Sequence, residues 1–251
     1  MPIRDIAIIL MVVLCAGAGF LRPWIGVCGF AWVSYMNPHR FTWSAAYTFP
    51  VALMIAGATL GGMVLGRGRI RFPKEKEALI LIALWVTFTI SPIWALYPDS
   101  AWTEWVKISK ILLMTFVTMA LIYERKTLNI FANVIVISIG LLALKSAVFG
   151  LATGGEYRVW GPPESFLEDN NDFAHAITMA IPLIVWSASQ AKPGICKNFF
   201  RLLVPSAVLS VLLTYSRGGL LSLLAVLGHR RVYQEGIRSE HAWATTCKWP
   251  V

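Results

Sequence analysis

Charge is scarce in this sequence. Only 14% of its 251 residues are Asp, Glu, Lys or Arg, against about 25% in a soluble domain. With 57% hydrophobic residues, the deficit excludes an ordinary water-soluble globule, whose single core could not hold so much apolar surface at this length. Acidic residues are rarer than basic ones, 13 against 22. The four cysteines, Cys15, Cys28, Cys196 and Cys247, show no C-x-x-C or other ligand spacing. That argues against a structural zinc site or a dithiol motif, and no metal or cofactor is expected. Cys15 and Cys28 lie in apolar runs and read as small packing residues.

What is present is a series of long apolar runs, several near the roughly 20 residues of a membrane-spanning helix. They fall at 6–21, 24–35, 50–65, 78–97, 107–123, 128–151, 173–188 and 202–215, with a further start at 220–227. The expected fold is an all-α, polytopic transmembrane helix bundle of about 8–9 spans. Residues 229–251 are polar and lack periodicity, and a disordered or irregular tail is expected there. Arg4 and the run ending at Gly19 superficially suit a signal peptide. Asp5 weakens the basic start, Leu14 is too large for a lipoprotein cleavage site, and more spans follow, so the first run reads as an uncleaved span. At Arg22-Pro23 the chain makes either a tight hairpin of two short spans or one broken helix. Gly57-x-x-x-Gly61 and Gly62-x-x-x-Gly66 suit close helix approach or are simply common membrane-helix glycines.

The excess of bases does not resemble a nucleic-acid surface, and no nucleic acid is an expected partner. Lys and Arg sit in short loops, where they set topology. The loops 67–77, 124–127, 189–201 and 229–231 hold twelve of them, and 36–49, 98–106 and 152–171 hold only Arg40 and Arg158. The first group is expected in the cytoplasm. Arg158, the acidic and tryptophan-rich 98–106 stretch and Arg217 then share the outer face.

Thr214-Tyr215-Ser216-Arg217-Gly218-Gly219 lies between two apolar runs. A charge that close to hydrocarbon costs roughly 2.5–3.5 kcal/mol and marks an interface anchor or a functional group. A guanidinium offers a planar fork of donors matched to phosphate oxygens. Beside an outer membrane surface, such phosphates belong to a lipid carrier. The loop 152–171 reads either as a lid, with Arg158 and Trp160 touching an anionic, sugar-bearing ligand, or as a solvated connector. Asn171 or Asp172 is expected to cap the following helix. His175, one turn inside it, is a packed ring or a catalytic one. Lys145 snorkels outward, lines a polar cavity or pairs with an acid such as Glu156. Lys107 and Lys110 share one face and read as interface anchors.

The element from Thr214 to Gly219 resembles the start of the ligase domain in the O-antigen ligase and polymerase superfamily. Three further stretches, Ser34-Tyr35-Met36-Asn37-Pro38-His39-Arg40, Arg158-Val159-Trp160-Gly161-Pro162 and Asn170-Asn171-Asp172-Phe173-Ala174, resemble the O-glycosylation ligases associated with the exosortase A system of Gram-negative bacteria. The resemblance covers roughly residues 1–228. It implies a multi-pass bacterial inner-membrane glycosyltransferase, independent of metal. Such a protein moves a glycan from an undecaprenyl-diphosphate carrier to an acceptor on the periplasmic side. It also implies diphosphate binding by Arg217 and Arg158, with Ser216, Gly218, Gly219, Trp160, Lys145 and His175 as supporting positions.

By the same resemblance, 1–200 is an N-terminal transmembrane domain, 201–228 the start of the ligase-related domain, and 229–251 a tail that a frameshift or premature end would produce. The family's large periplasmic loop and its histidine lie downstream of this point. No complete catalytic set is therefore expected in this chain, and ordinary turnover by the purified chain would refute that expectation. A transporter or flippase component for lipid-linked sugars, and a non-catalytic membrane scaffold, are the alternatives. A transporter is expected to carry matched broken helices in two halves, and no later partner of the Arg22-Pro23 break is visible.

The topology has a direct test. A single cysteine at 217 should react with an impermeant thiol reagent from the outer face. Labelling only from the cytosol would overturn the assigned orientation.

Overall fold

The structure, a computed structural model, describes residues 3–42, 47–71 and 76–228. The expected tail at 229–251, Trp43 and Lys74 lie outside these residues. The described residues are all-α. The helices are α1 (Ile3–Leu21), α2 (Pro23–Met36), α3 (Val51–Val64), α4 (Lys76–Ile90), α5 (Pro98–Leu121), α6 (Arg125–Ala152), α7 (Asn170–Gln190), α8 (Ile195–Leu213) and α9 (Arg217–Gly228). Five are long and apolar enough to cross a bilayer: α1, α4 with its extension to Trp94, α6, α7 and α8. The chain is a multi-pass membrane protein. Its helices divide between two compact units, Met1–Val134 and Ile135–Val251, with the division inside α6.

In the first unit, α1 and α2 form a hairpin about Arg22. Gly19 meets Gly26, Cys15 meets Gly29, and Val12 and Val33 share one core cluster. Each pair sums to nearly the same number, which is the signature of antiparallel neighbours. The alternative of one interrupted span is thereby settled in favour of two helices. Pro23 starts α2 at a position where its missing N–H breaks no helix bond. Helix α3 packs on both. Ile55 lies against Gly29, Thr59 against Gly19 and Gly26, and Gly62 against the Phe20 backbone, so α3 runs parallel to α1. Thr59 is fully buried, and its hydroxyl donates to the Ile55 carbonyl 2.7 Å away, which satisfies it without a partner from another helix.

Helices α4 and α5 form a second hairpin. The Trp85 indole donates to Ser109 Oγ at 3.0 Å and the Trp105 indole to Thr89 Oγ1 at 3.0 Å. Along α4 only Ala78 is buried. A helix that is apolar all round and exposed nearly everywhere faces hydrocarbon, not water.

The second unit alternates direction. Gly140 lies against Leu203 and Gly150 against Leu213, so α6 and α8 run parallel. Asn171 meets Ser216 and Ala174 meets Gly219, so α7 and α9 run parallel as well. The chain therefore turns back after Thr214, and Arg217 lies level with the start of α7. At about 1.5 Å per residue, the described part of α9 spans only about 18 Å.

Three local expectations differ from the structure. The 98–106 stretch is not a loop but the first turns of α5. Pro98 supplies a helix start, and Lys107 pairs with Glu104 at 2.6 Å across one turn. The cap of α7 is Asp169, not Asn171 or Asp172, because the helix already begins at Asn170. Of the glycines spaced by four, Gly62 meets a neighbouring backbone and Gly61 the Phe20 ring, but Gly57 and Gly66 meet nothing within 4 Å. The tightest crossing uses Gly19 and Gly26, which sit on different helices and share no sequence motif.

This crossing predicts contrasting substitutions. A Cβ at Gly26 would overlap Thr59 Oγ1 and lie 2.9 Å from the Gly19 Cα, so Gly26→Ala should destabilise by about 1–3 kcal/mol through overpacking. Gly57→Ala, in open space, should be neutral or stabilising by up to about 1 kcal/mol from helix propensity. Detergent unfolding curves measure both, and equal midpoints would refute the packing account.

Candidate functional site

The site expected around Arg217 is built where α7 and α9 begin. Helix α8 ends at Leu213, and α9 starts at Arg217, leaving three residues to reverse the chain. Tyr215 takes the left-handed conformation, φ 54°, which costs a non-glycine residue about 1–2 kcal/mol. Its hydroxyl bonds the Gly155 carbonyl. Thr214 is fully buried, with its hydroxyl donating to the Val211 carbonyl at 2.6 Å. The Thr214 carbonyl accepts from the Asn170 side-chain amide at 3.0 Å, and the Leu213 carbonyl accepts the Val159 N–H at 3.1 Å. Carbonyls left open by the end of α8 are thus taken up by α7 and by the loop before it.

Ser216 caps α9. Its Oγ accepts the Gly219 N–H at 3.0 Å and donates to Asn171 Oδ1 at 2.7 Å. This hydroxyl ties the N-termini of two helices 45 residues apart. Gly219 is required here, because a Cβ would fall 2.6 Å from the Ala174 Cβ. On the next turn, Ser222 Oγ donates to the Gly218 carbonyl at 2.9 Å and lies 3.3 Å from His175 Nδ1. With the Ser222 proton directed to Gly218, its oxygen is open to a proton on Nδ1, which leaves the other ring nitrogen, Nε2. That atom faces Gly218, where an added Cβ would lie 3.4 Å away.

Arg217 is exposed on the first turn of α9. Among the described residues, no hydrogen bond or ion pair engages its guanidinium. The partial positive charge of a helix N-terminus adds to its own.

The loop before α7 is ordered by its own bonds. Glu168 O accepts the Gly161 N–H at 3.1 Å, and Pro162 O accepts Ser165 Oγ at 2.7 Å. Gly161 is packed so closely on the Leu167 carbonyl that any side chain would collide with it. Val159, Pro162 and Leu167 are buried, and Arg158 and Trp160 are exposed. Asp169 accepts the Asn171 N–H at 2.8 Å. That bond, further bonds from Asn171 and Asp172, and the charge of Arg158 hold its carboxyl below the usual value, against a smaller desolvation effect. Lys145 is exposed on α6, about 10 Å along the helix from its end.

The structure thus brings together Ser216, Gly218, Gly219 and His175, with Arg217 beside them. Arg158 and Trp160 are set in the adjoining loop, and Lys145 is on α6. Sequence reasoning places Asn170, Thr214 and Tyr215 in its motifs without giving them a role, and misses Ser222 and Asp169. A serine just before an apolar run is a helix-start signal and marks Ser216 as a cap. The bonds across 44 to 60 residues leave no local signal. Among the described residues, no group of three His, Cys, Asp or Glu could hold a metal ion.

Fold and site define a multi-pass α-helical membrane protein with a tightly bonded helix-end junction. Residues 3–192 match the Family of unknown function (DUF5935), and the chain belongs to that family. The match ends before α8, so the Thr214–Gly219 element lies outside it. No curated protein and no solved structure matches the chain.

The junction makes a local prediction. Ser216→Ala removes the α9 cap, at about 1 kcal/mol, and should speed hydrogen exchange of the Gly219 and Leu220 amides about five-fold or more. Ser216→Thr should retain most of the protection. Asp169 adds a pH signature. Its lowered carboxyl means the stabilisation is present above the ordinary carboxylate range and lost as pH falls through the native value. Protection of the Asn171 amide, corrected for intrinsic rate, should therefore fall only in acid, below about pH 4. Unchanged exchange at both places would refute the bond network.

Proposed function

We propose that this chain is a glycan ligase of the bacterial inner membrane, acting on the periplasmic side. The junction of α7, α8 and α9 binds the diphosphate of an undecaprenyl-diphosphate-linked glycan, whose sugar passes to an acceptor. The observation that carries the reading is Arg217. It is exposed and without a bonded partner among the described residues, on a helix N-terminus fixed by Ser216 and Asn171. The resemblance of Thr214–Gly219 and of the Arg158 and Asn170 stretches to the ligases supports it independently.

The chemistry follows from charge. Breaking the glycosyl–phosphate bond leaves negative charge on the diphosphate, which fixed positive groups stabilise without reorganising. Arg217 is the first ligand, and Arg158 a second from the loop. Trp160, exposed beside Arg158, offers an apolar face to a sugar. The flippase alternative has lost one support, since α1 and α2 form a hairpin and not the halves of one broken span.

Binding of undecaprenyl diphosphate to the chain in nanodiscs tests this. Arg217→Ala should weaken it about 10- to 100-fold, as expected for a charge-assisted bond of roughly 1.5–3 kcal/mol. Arg217→Lys should recover part of the loss, lacking the fork, and Arg158→Ala should have a smaller effect. Equal affinity of wild type and the Arg217→Ala, Arg158→Ala double variant would sink the proposal. Vesicle assays that show lipid-linked sugar moving between leaflets, without transfer to an acceptor, would favour the flippase.

A further inference from the structure

The basic residues of the first unit are not scattered along their loops. The stretch after α3 is folded across the ends of α1, α2 and α5. The Arg67 guanidinium lies 4.5 Å from the centre of the Phe20 ring, and the Arg67 N–H bonds the Gly62 carbonyl at 3.0 Å. A Cβ at Gly68 would touch Pro23 at 3.4 Å and Leu121 at 3.7 Å. The Arg71 N–H donates to the Ala120 carbonyl at 3.0 Å. Arg22 lies in the α1–α2 turn on which Gly68 rests, and Arg125 and Lys126 open α6 a few residues after α5 ends.

With Arg69 between Gly68 and Arg71, these six bases are all exposed. Among the described residues, none forms a hydrogen bond or ion pair through its charged group with a carboxylate. Like charges gathered at one end repel one another, and the offsets are small: the exposed Glu124 beside Arg125 and the Phe20 ring beneath Arg67. Their surroundings are apolar: Val64 is 86% exposed and Leu65 62% exposed, with Leu21, Ile70 and Tyr123 also open. A soluble anion or a nucleic acid would satisfy the charges and leave this rim bare. An amphipathic anion satisfies both.

We propose that this end of the first unit binds anionic phospholipids, with the phosphates held by Arg22, Arg67, Arg69, Arg71, Arg125 and Lys126 and the acyl chains lying on the apolar rim. Topology alone needs only an excess of bases on one side of the membrane. It does not need the Arg71 bond to Ala120, the Arg67 contact with Phe20 and the packing of Gly68 on Pro23 and Leu121 that lay the stretch across three helix ends. The bound lipid is a structural partner from the leaflet, independent of the proposed diphosphate site.

The test uses the full chain in nanodiscs of phosphatidylcholine mixed with phosphatidylglycerol, and counts co-purifying lipids by native mass spectrometry. Wild type should retain phosphatidylglycerol selectively. The Arg67→Gln, Arg69→Gln, Arg71→Gln variant should lose affinity about 100-fold, from roughly five-fold per base near a surface. Thiol labelling of Cys196, which is free and exposed, checks that orientation is unchanged. If the triple variant is misoriented, Arg125→Gln, Lys126→Gln should still give a loss of about 25-fold, and retained affinity there would overturn the proposal. Equal retention of both lipids by wild type, or by a correctly oriented triple variant, would overturn it. So would full competition by soluble glycerol phosphate at the lipid's own concentration, which would show that the apolar rim adds nothing.

Discussion

A helix that ends leaves up to four amides or four carbonyls without partners, and beside hydrocarbon each such group costs several kcal/mol. The second unit is organised around meeting that demand. Between α8 and α9 the chain reverses in three residues; the open carbonyls find partners in segments distant in sequence, and the open amide a local cap. Val159 takes the Leu213 carbonyl, Asn170 the Thr214 carbonyl, and Ser216 the Gly219 amide. Because Val159 and Asn170 flank the loop before α7, that loop is drawn onto the junction. The exposed Arg158 and Trp160 follow from the burial of Val159 between them.

The same demand explains the small residues. Gly219 lets α9 start against Ala174, and Gly161 lets the loop fold back on Leu167. In a lipid-facing protein, helix association lacks the ordinary hydrophobic drive and relies on close packing and interhelical bonds. The Gly19–Gly26–Thr59 crossing of the first unit meets this rule with packing. The Ser216–Asn171 pair of the second unit meets it with a bond of 2.7 Å.

Much of this was legible in the sequence, for physical reasons. Apolar runs bounded by bases locate helices because the bilayer fixes their length. The isolated Arg217, with a hydroxyl before it and glycines after it, marked the junction. What stayed hidden depends on partners remote in sequence. Spacing alone does not separate Asp169 from Asn171 and Asp172 as the α7 cap, and the bond from Asn170 at the helix start goes to the remote Thr214 carbonyl. The polar start of α5 looked like a loop because its acids and tryptophans suit an interface. A helix satisfies its own backbone, however, and can carry such residues on its outer turns. Glycines spaced by four misled in part. Spacing shows which residues share a face of one helix, but not whether another helix lies against it, as Gly57 demonstrates.

The six residues of Thr214–Gly219 divide by what they do. Thr214 closes α8, Tyr215 supplies the left-handed turn and bonds Gly155, and Ser216 caps α9. Gly218 makes room beside His175, and Gly219 beside Ala174. Five positions have structural work among the described residues; Arg217 has none. An interface anchor needs only a long base near the headgroups, with no rigid support beneath it. A ligand site needs its donor held in place before the ligand arrives, by neighbours that are themselves fixed. Arg217 stands on a capped helix end, tied to a second helix end and closed by the loop. That support fixes the backbone of Arg217, while its guanidinium stays unbonded among the described residues, and the proposed diphosphate contact would be what orders it.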